Sequence, residues 1–168
     1  HSNLVNDGRW APQKLRPDLG IQIRTMSFDP DNPMRYWLVL TSNISYALPK
    51  DWSVRGAYEV TLYDEFDDLN RGSNSVLPHV RTDQDLYLKG ARHGLSHLYL
   101  SKRGNLSPEL NYEVYAGYLE MMYAGAGFEL LKYDPFDRVA YGFSFNHVQQ
   151  RDFDRDFGLR DYEANTYF

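Results

Sequence analysis

Residues 149–162, "QQRDFDRDFGLRDY", hold the side chains best suited to binding chemistry: Gln149, Gln150, Arg151, Asp152, Arg160, Asp161 and Tyr162. Carboxamides, guanidinium groups and carboxylates donate and accept hydrogen bonds in pairs, and a tyrosine ring offers a face for stacking. Together these groups hold sugar hydroxyls, so a polar strand end of this kind can line a polysaccharide path. The plain alternative is a solvated loop, with Arg151 and Arg155 pairing locally to the neighbouring aspartates. Asp152 and Asp154 are the residue type that performs acid and base work on glycosidic bonds. On a charged loop tip, hydration is the expected role, and catalysis is not expected.

Other chemical candidates are weaker. His93 and His97 stand four apart in "RHGLSH", the spacing that puts two zinc ligands on one helix face. Gly94 and the surrounding strand pattern argue against a helix there, and no third ligand is evident, so no metal site is expected. Ser144 and His147 are three apart on a strand, which places them on opposite faces and out of reach of a shared proton. The strained Gly-x-Ser-x-Gly turn of a serine nucleophile is missing. The carboxylate clusters at 28–32 and 63–68 lack the ligand alternation, glycine and closing glutamate of a calcium loop, and read as a turn and a solvated loop. Cysteine is absent from the chain, which excludes disulfides and thiolate metal sites.

These residues sit on a chain that reads almost wholly as strands. In "VAYGFSFNHVQQRDF", Val139, Tyr141, Phe143 and Phe145 alternate with Ala140, Gly142, Ser144 and Asn146. A side-chain period of two means a strand with one large apolar face and one small, mildly polar face. Similar alternation predicts strands over 19–28, 35–46, 52–63, 80–89, 95–101, 110–119, 123–133, 139–150 and 162–168. Turn chemistry separates them at 29–33, 48–51 and 134–138, and residues 64–79 form the longest loop. The segment 109–125 offers a helical stripe of Tyr112, Tyr115, Leu119 and Met122. Its glycines and tyrosines favour strands instead.

The 168 residues are 42% hydrophobic, 24% charged and 15% aromatic, with 14 Tyr and 9 Phe. That excludes a disordered tail. Tyrosine suits strands, interfaces and membrane girdles. A net charge of −5, with no basic stretch, argues against a nucleic-acid partner. No run of 18 apolar residues marks a spanning helix, but a spanning β-barrel needs only alternation. A soluble sandwich or lipocalin-like barrel predicts the same alternation with the aromatic face turned inward. Strand length and the small, uncharged second face lean toward the membrane version. Glu59, Glu113 and Glu129 put charge on other strands, which a water-filled interior accepts.

Residues 116–163 resemble the YjbH family of bacterial exopolysaccharide-biosynthesis proteins, relatives of the capsule protein GfcD. The resemblance rests on the Gly-Tyr-Leu-Glu stretch from Gly117 to Glu120 and the glycine-rich strand from Gly125 to Tyr133. It continues through the Pro135-Phe136 turn, Gln150 to Phe153, and Phe157 to Tyr162. "LRPDLGIQI" from Leu15 and "LPHVRTD" from Leu77 to Asp83 also fit. These motifs add Arg81, Asp83 and Glu120 to the polysaccharide-binding candidates, and the resemblance supplies no catalytic residue.

The expected fold is therefore all-β: an antiparallel up-and-down meander of about nine strands. It forms part or all of an outer-membrane-type β-barrel over residues 1–168. Family members are longer, so a fragment of a larger barrel is expected. The resemblance implies a non-enzymatic outer-membrane protein of exopolysaccharide or capsule biosynthesis or export. Its lumen and loops would guide or anchor the polymer. Expected partners are the polysaccharide, outer-membrane lipid and other export proteins, with no cofactor and no nucleic acid. The alternatives are a soluble periplasmic domain that binds glycans and a barrel enzyme that modifies the polymer.

Overall fold

A computed structural model describes residues 15–27, 32–67, 69, 76, 80–81, 83–90, 92–134 and 138–168. It is an all-β meander. β1 (Leu15–Ser27), β2 (Met34–Ala47), β3 (Trp52–Tyr63), β4 (His93–Ser107), β5 (Leu110–Tyr118), β6 (Tyr123–Lys132), β7 (Tyr141–Arg151) and β8 (Leu159–Tyr167) pair antiparallel in sequence order. One eight-stranded sheet results, and β1 and β8 remain its edges.

The expected strands are present with one exception. The segment expected to be a strand over 80–89 instead carries α1 (Gln84–Gly90). Leu86 and Leu88 mimic strand alternation, but Asp83 precedes the helix, Asp85 sits in its first turn, Lys89 in its last and Gly90 at its end. Those are helix start and stop signals, and they favour the local dipole. Residues 109–125 do form strands, β5 and β6, joined by a short hairpin. Residues 29–31 of the expected turn at 29–33, residues 135–137 of that at 134–138, and most of the loop over 64–79 lie outside the described residues.

The connections 48–51, 108–109 and 133–140 lie at one end of the sheet. Lys50 and Asp51 take left-handed backbone, with φ of 61° and 62°, and close β2 onto β3, where Leu48 N–H donates to the Trp52 carbonyl at 2.8 Å. β4 reaches β5 through residues 108–109, with the Leu110 N–H donating to Ser107 Oγ at 3.2 Å. At the opposite end lie α1, the hairpin 119–122 and the loop 152–158.

The sheet curls. β3 and β7 are four places apart, about 19 Å across a flat sheet. Yet Arg155, just beyond β7, donates to Glu59 of β3 at 2.9 Å, and its carbonyl accepts from Leu95 N–H of β4 at 3.2 Å. The compact apolar packing lies inside this curl, at the long-loop end. Trp37 and Val39 of β2 pack with Phe66 and Leu69, and Tyr87 of α1 packs with Met122, Tyr123 and Val148. Leu88 joins the first cluster, so α1 bridges both. Burying each such side chain contributes about 1.5–3 kcal/mol, which pins the loops into the curl.

Register sorts the two faces. Arg24, Trp37, Val39, Thr41, Glu59, Tyr99, Ser101, Arg103, Glu113, Tyr115, Glu129, Asn146 and Thr166 share the concave side. Leu19, Ile21, Ile23, Leu40, Ile44, Val60, Leu100, Val114, Phe128, Tyr141 and Phe143 share the convex side. The convex side is exposed: Ile23 is 74%, Tyr141 67% and Phe143 46% accessible. Tyr141, Phe143 and Phe145 thus stand on the outer face, and Ser144 and Asn146 on the inner one.

Candidate functional site

The concave face holds a cavity of about 560 Å3. Strand alternation delivers its wall. Tyr99 and Arg103 come from β4, Glu113 and Tyr115 from β5, Glu129 from β6, Asn146 from β7 and Thr166 from β8. Arg81, Glu120 and Tyr123 close it at the long-loop end. A second cavity of about 240 Å3, lined by Asn105, Asn111 and Leu131, shares Arg103, Glu113 and Glu129 with the first. The two adjoin at these three residues and together mark a groove on the inside of the curl toward the short-turn end.

Polar groups line the groove in a connected order. Arg81 pairs with Glu120 at 2.9 Å, and Arg103 with Glu113 at 2.8 Å. Tyr115 donates its hydroxyl to Asn146 Oδ1 at 2.7 Å, and the Asn146 amide lies 3.4 Å from the Thr166 hydroxyl. Tyr99 and Tyr115 meet edge-on, with ring centroids 6.4 Å apart. Gly127 makes this arrangement possible: a Cβ there would lie 2.2 Å from Asn146 Oδ1 and 2.7 Å from the Tyr115 ring. The groove therefore offers paired hydrogen-bonding groups and aromatic surfaces, the chemistry that holds sugar rings.

Beside the groove, buried charge organises the loops. Glu59 accepts from Arg24 at 2.7 Å and from Arg155 at 2.9 Å, and Glu59 and Arg155 are both almost fully buried. Arg151 is fully buried and donates to the carbonyls of Leu95, Ser96, Glu120, Arg155 and Asp156 at 2.7–3.4 Å. Its guanidinium also lies 5.0 Å from the Tyr118 ring. Tyr87 donates its hydroxyl to the Arg151 carbonyl. Burial pushes the Tyr87 hydroxyl up to about 12, which keeps it a neutral donor. Gly90 and Gly94 lie against the backbone of Phe153 and the side chain of Arg155, so small residues receive the loop.

The expected local pairing of Arg151 and Arg155 with Asp152 and Asp154 is therefore corrected. A buried guanidinium needs partners: inward carbonyls take the Nη atoms of Arg151 and Glu59 takes an Nη of Arg155, while the Nε of each finds none among the described residues. Asp152 instead lies 3.9 Å from Arg160, which itself sits 4.4 Å over the Phe153 ring. Asp154 accepts from the Asp156 N–H at 2.9 Å.

The other sequence candidates divide into groups. Arg81 and Glu120 line the groove mouth. Gln150, Asp152, Arg160, Asp161 and Tyr162 line a separate shallow depression of about 400 Å3. Gln150 also donates to Asp83 at 3.1 Å, which ties β7 to the start of α1. Gln149 bonds the Arg160 carbonyl at 2.9 Å and lines neither cavity. Arg151, being fully buried, positions its neighbours and has no free donor for a ligand along its Nη atoms.

His93 and His97 fall on opposite faces, because a bulge adds Ser96 between the pairs Tyr58–Leu95 and Ala57–His97. His93 bonds the Tyr58 hydroxyl at 3.0 Å, while His97 packs on Tyr99. Among the described residues no group of three metal-ligating side chains forms. Ser144 and His147 lie on opposite faces, as their spacing requires.

Tyr99, Arg103, Tyr115, Glu129, Asn146 and Thr166 escaped selection as site residues. Their signal was present as strand parity: once Ser144 and Asn146 mark the inner face, pairing carries Glu113, Tyr115 and Glu129 onto it. Choosing the pairing register required the structure.

A model of the family described as "Exopolysaccharide biosynthesis protein YbjH" (YjbH) matches residues 2–168. The chain is also 38% identical, over 149 residues, to a protein of Escherichia coli (strain K12) named "Uncharacterized lipoprotein YjbH". The match covers 85% of this chain and 21% of that relative, so the chain spans about a fifth of the relative's length. No solved structure matches.

Proposed function

This chain belongs to the YjbH family of exopolysaccharide biosynthesis proteins, and from that premise we propose that its sheet is a sector of an outer-membrane β-barrel whose inner groove guides or anchors the polymer. The observation that carries this reading is inverted polarity. Exposed aliphatic and aromatic side chains cover the convex face, while charges, amides and hydroxyls line the concave one. In water that arrangement leaves a broad apolar surface uncovered, whereas hydrocarbon favours it.

Dimensions agree. The shortest strands, β5 and β8, have nine residues, or about 30 Å of extended chain, and tilted as in barrels they cover the roughly 25 Å apolar band. The edges β1 and β8 each present unpaired backbone groups, which lipid does not tolerate. Further strands of the parent chain close the ladder in this reading. Short turns of outer-membrane barrels face the periplasm and long loops face outward. The connection between β3 and β4, which carries α1, is the longest of all, so that rule puts α1 with the loop 152–158 at the outer mouth, and the turns 48–51 and 108–109 with the connection 133–140 on the periplasmic side.

The protein is a guide rather than an enzyme in this reading: Asp152 and Asp154 serve loop geometry. Its partners are the polymer, outer-membrane lipid and other export proteins. The E. coli relative's printed name, lipoprotein, fits an envelope location. The test is to express the full-length parent and fractionate the envelope. It should enter the outer membrane and need detergent for extraction. Recovery as a monodisperse soluble periplasmic protein would overturn the barrel, in favour of a soluble glycan-binding domain. Loss of polymer turnover on joint substitution of Asp152 and Asp154 by Asn, with folding intact, would overturn the non-enzymatic role.

A further inference from the structure

We propose that Glu129 makes the inner groove a subsite for glycans bearing free amino groups, in preference to those bearing uronates. The inference rests on the polysaccharide-path reading and deepens it by naming the charge class of the sugar.

The basis is the pairing of charges along the groove. Five ionisable side chains other than tyrosine line the main cavity: Arg81, Arg103, Glu113, Glu120 and Glu129. Both arginines are taken. Arg81 binds Glu120 at 2.9 Å, and Arg103 binds Glu113 at 2.8 Å. Glu129 has no cationic partner among the described residues. Glu129 is exposed to the groove, and its hydrogen-bond contact among the described residues is the Tyr115 hydroxyl at 3.4 Å. That hydroxyl carries a single proton, and the much shorter contact, 2.7 Å to Asn146 Oδ1, takes it. Glu129 therefore projects acceptor lone pairs into the groove with no strong protein donor.

Position strengthens the point. Glu129 lines both cavities, so it stands where they adjoin, between the aromatic pair Tyr99–Tyr115 on one side and Asn105 and Asn111 on the other. A hexosamine ring stacked on those tyrosines presents hydroxyls to Asn146 and Thr166 and an ammonium to Glu129. An ammonium has three donors and no acceptor, the complement of an undonated carboxylate. A uronate at the same place meets like charge, with both nearby arginines already neutralised.

The test measures binding of three oligosaccharide probes to the full-length parent in detergent. They are a glucosamine oligomer, a neutral glucose oligomer and a galacturonate oligomer, at about pH 5.5, where carboxylates are ionised. The glucosamine oligomer should bind roughly fivefold more tightly than the neutral one, as one partly solvated ion pair allows, with the uronate weakest. Glu129→Gln should bring the amino-oligomer affinity down to the neutral level. Glu113→Gln frees Arg103, which is more than half exposed and so leaves no stranded buried charge. It should raise the uronate affinity. Equal affinity for amino and neutral oligomers, or a preference that survives Glu129→Gln, overturns this inference and leaves the polysaccharide path standing. Failure of all three probes to bind overturns both.

Discussion

Leu100→Arg separates a lipid-facing wall from a water-facing one. Leu100 is the central residue of β4, on the convex face, paired with Val54 and Ala116 and 39% exposed. Were that face in water, arginine would lay its stem on the same neighbours and keep its head solvated, at a cost below about 1 kcal/mol. At the midplane of a bilayer the same charge costs about 2–4 kcal/mol. The comparison is Asn43→Arg on the concave face, three residues along the ladder from the level of Leu100, where Asn43 already donates to Asp18 at 3.3 Å. There the new cation meets a carboxylate and solvent, and about 1 kcal/mol or less is expected. Denaturant unfolding of the full-length parent in vesicles measures both. The expected gap is at least about 1 kcal/mol, a roughly fivefold or greater shift in the folding equilibrium. Equal costs for the two variants would refute a lipid-facing convex side, and the polarity argument would fall with it.

Other consequences follow from the buried groups. Arg151→Met removes donors to five carbonyls from three segments and should cost roughly 3 kcal/mol, because the carbonyls lose a charged partner. Amide exchange in 119–122 and 152–158 should rise first. Glu59→Gln leaves Arg24 and the buried Arg155 without their shared carboxylate and should cost about 3–5 kcal/mol. Adding Arg155→Met should recover part of that loss in a denaturation series. Tyr87 contributes stability that is full below about pH 10 and is lost as pH rises through about 12, because its folded-state value is raised. Tyr87→Phe should therefore flatten part of the alkaline loss in a pH series of melting temperatures.

Much of the wall was legible in the chain itself. A period of two is a local property, so the strands, and the division of Tyr141 and Phe143 from Ser144 and Asn146, needed no partner to be seen. The turn at 48–51 was visible from its local turn residues, whereas β4 runs on to Ser107, beyond the strand expected over 95–101. α1 was missed because Leu86 and Leu88 imitate strand spacing within a segment too short for a helical stripe to show. The binding candidates chosen from composition, Gln149 to Tyr162, fell mainly at one rim. The groove itself draws on β4 to β8 and emerges only from their register.

Alternation is unchanged when a sheet is turned over, so the amino-acid order alone determined two chemically distinct faces and left open which of them is enclosed. The tertiary structure decided that through contacts between distant residues, such as Arg155 with Glu59, 96 positions apart. Those contacts curl the sheet around its polar side, because buried ions must find partners and only the far strands supply them. The pairing of Arg103 with Glu113, and the place of Glu129 beside them, were decided by the register of β4, β5 and β6.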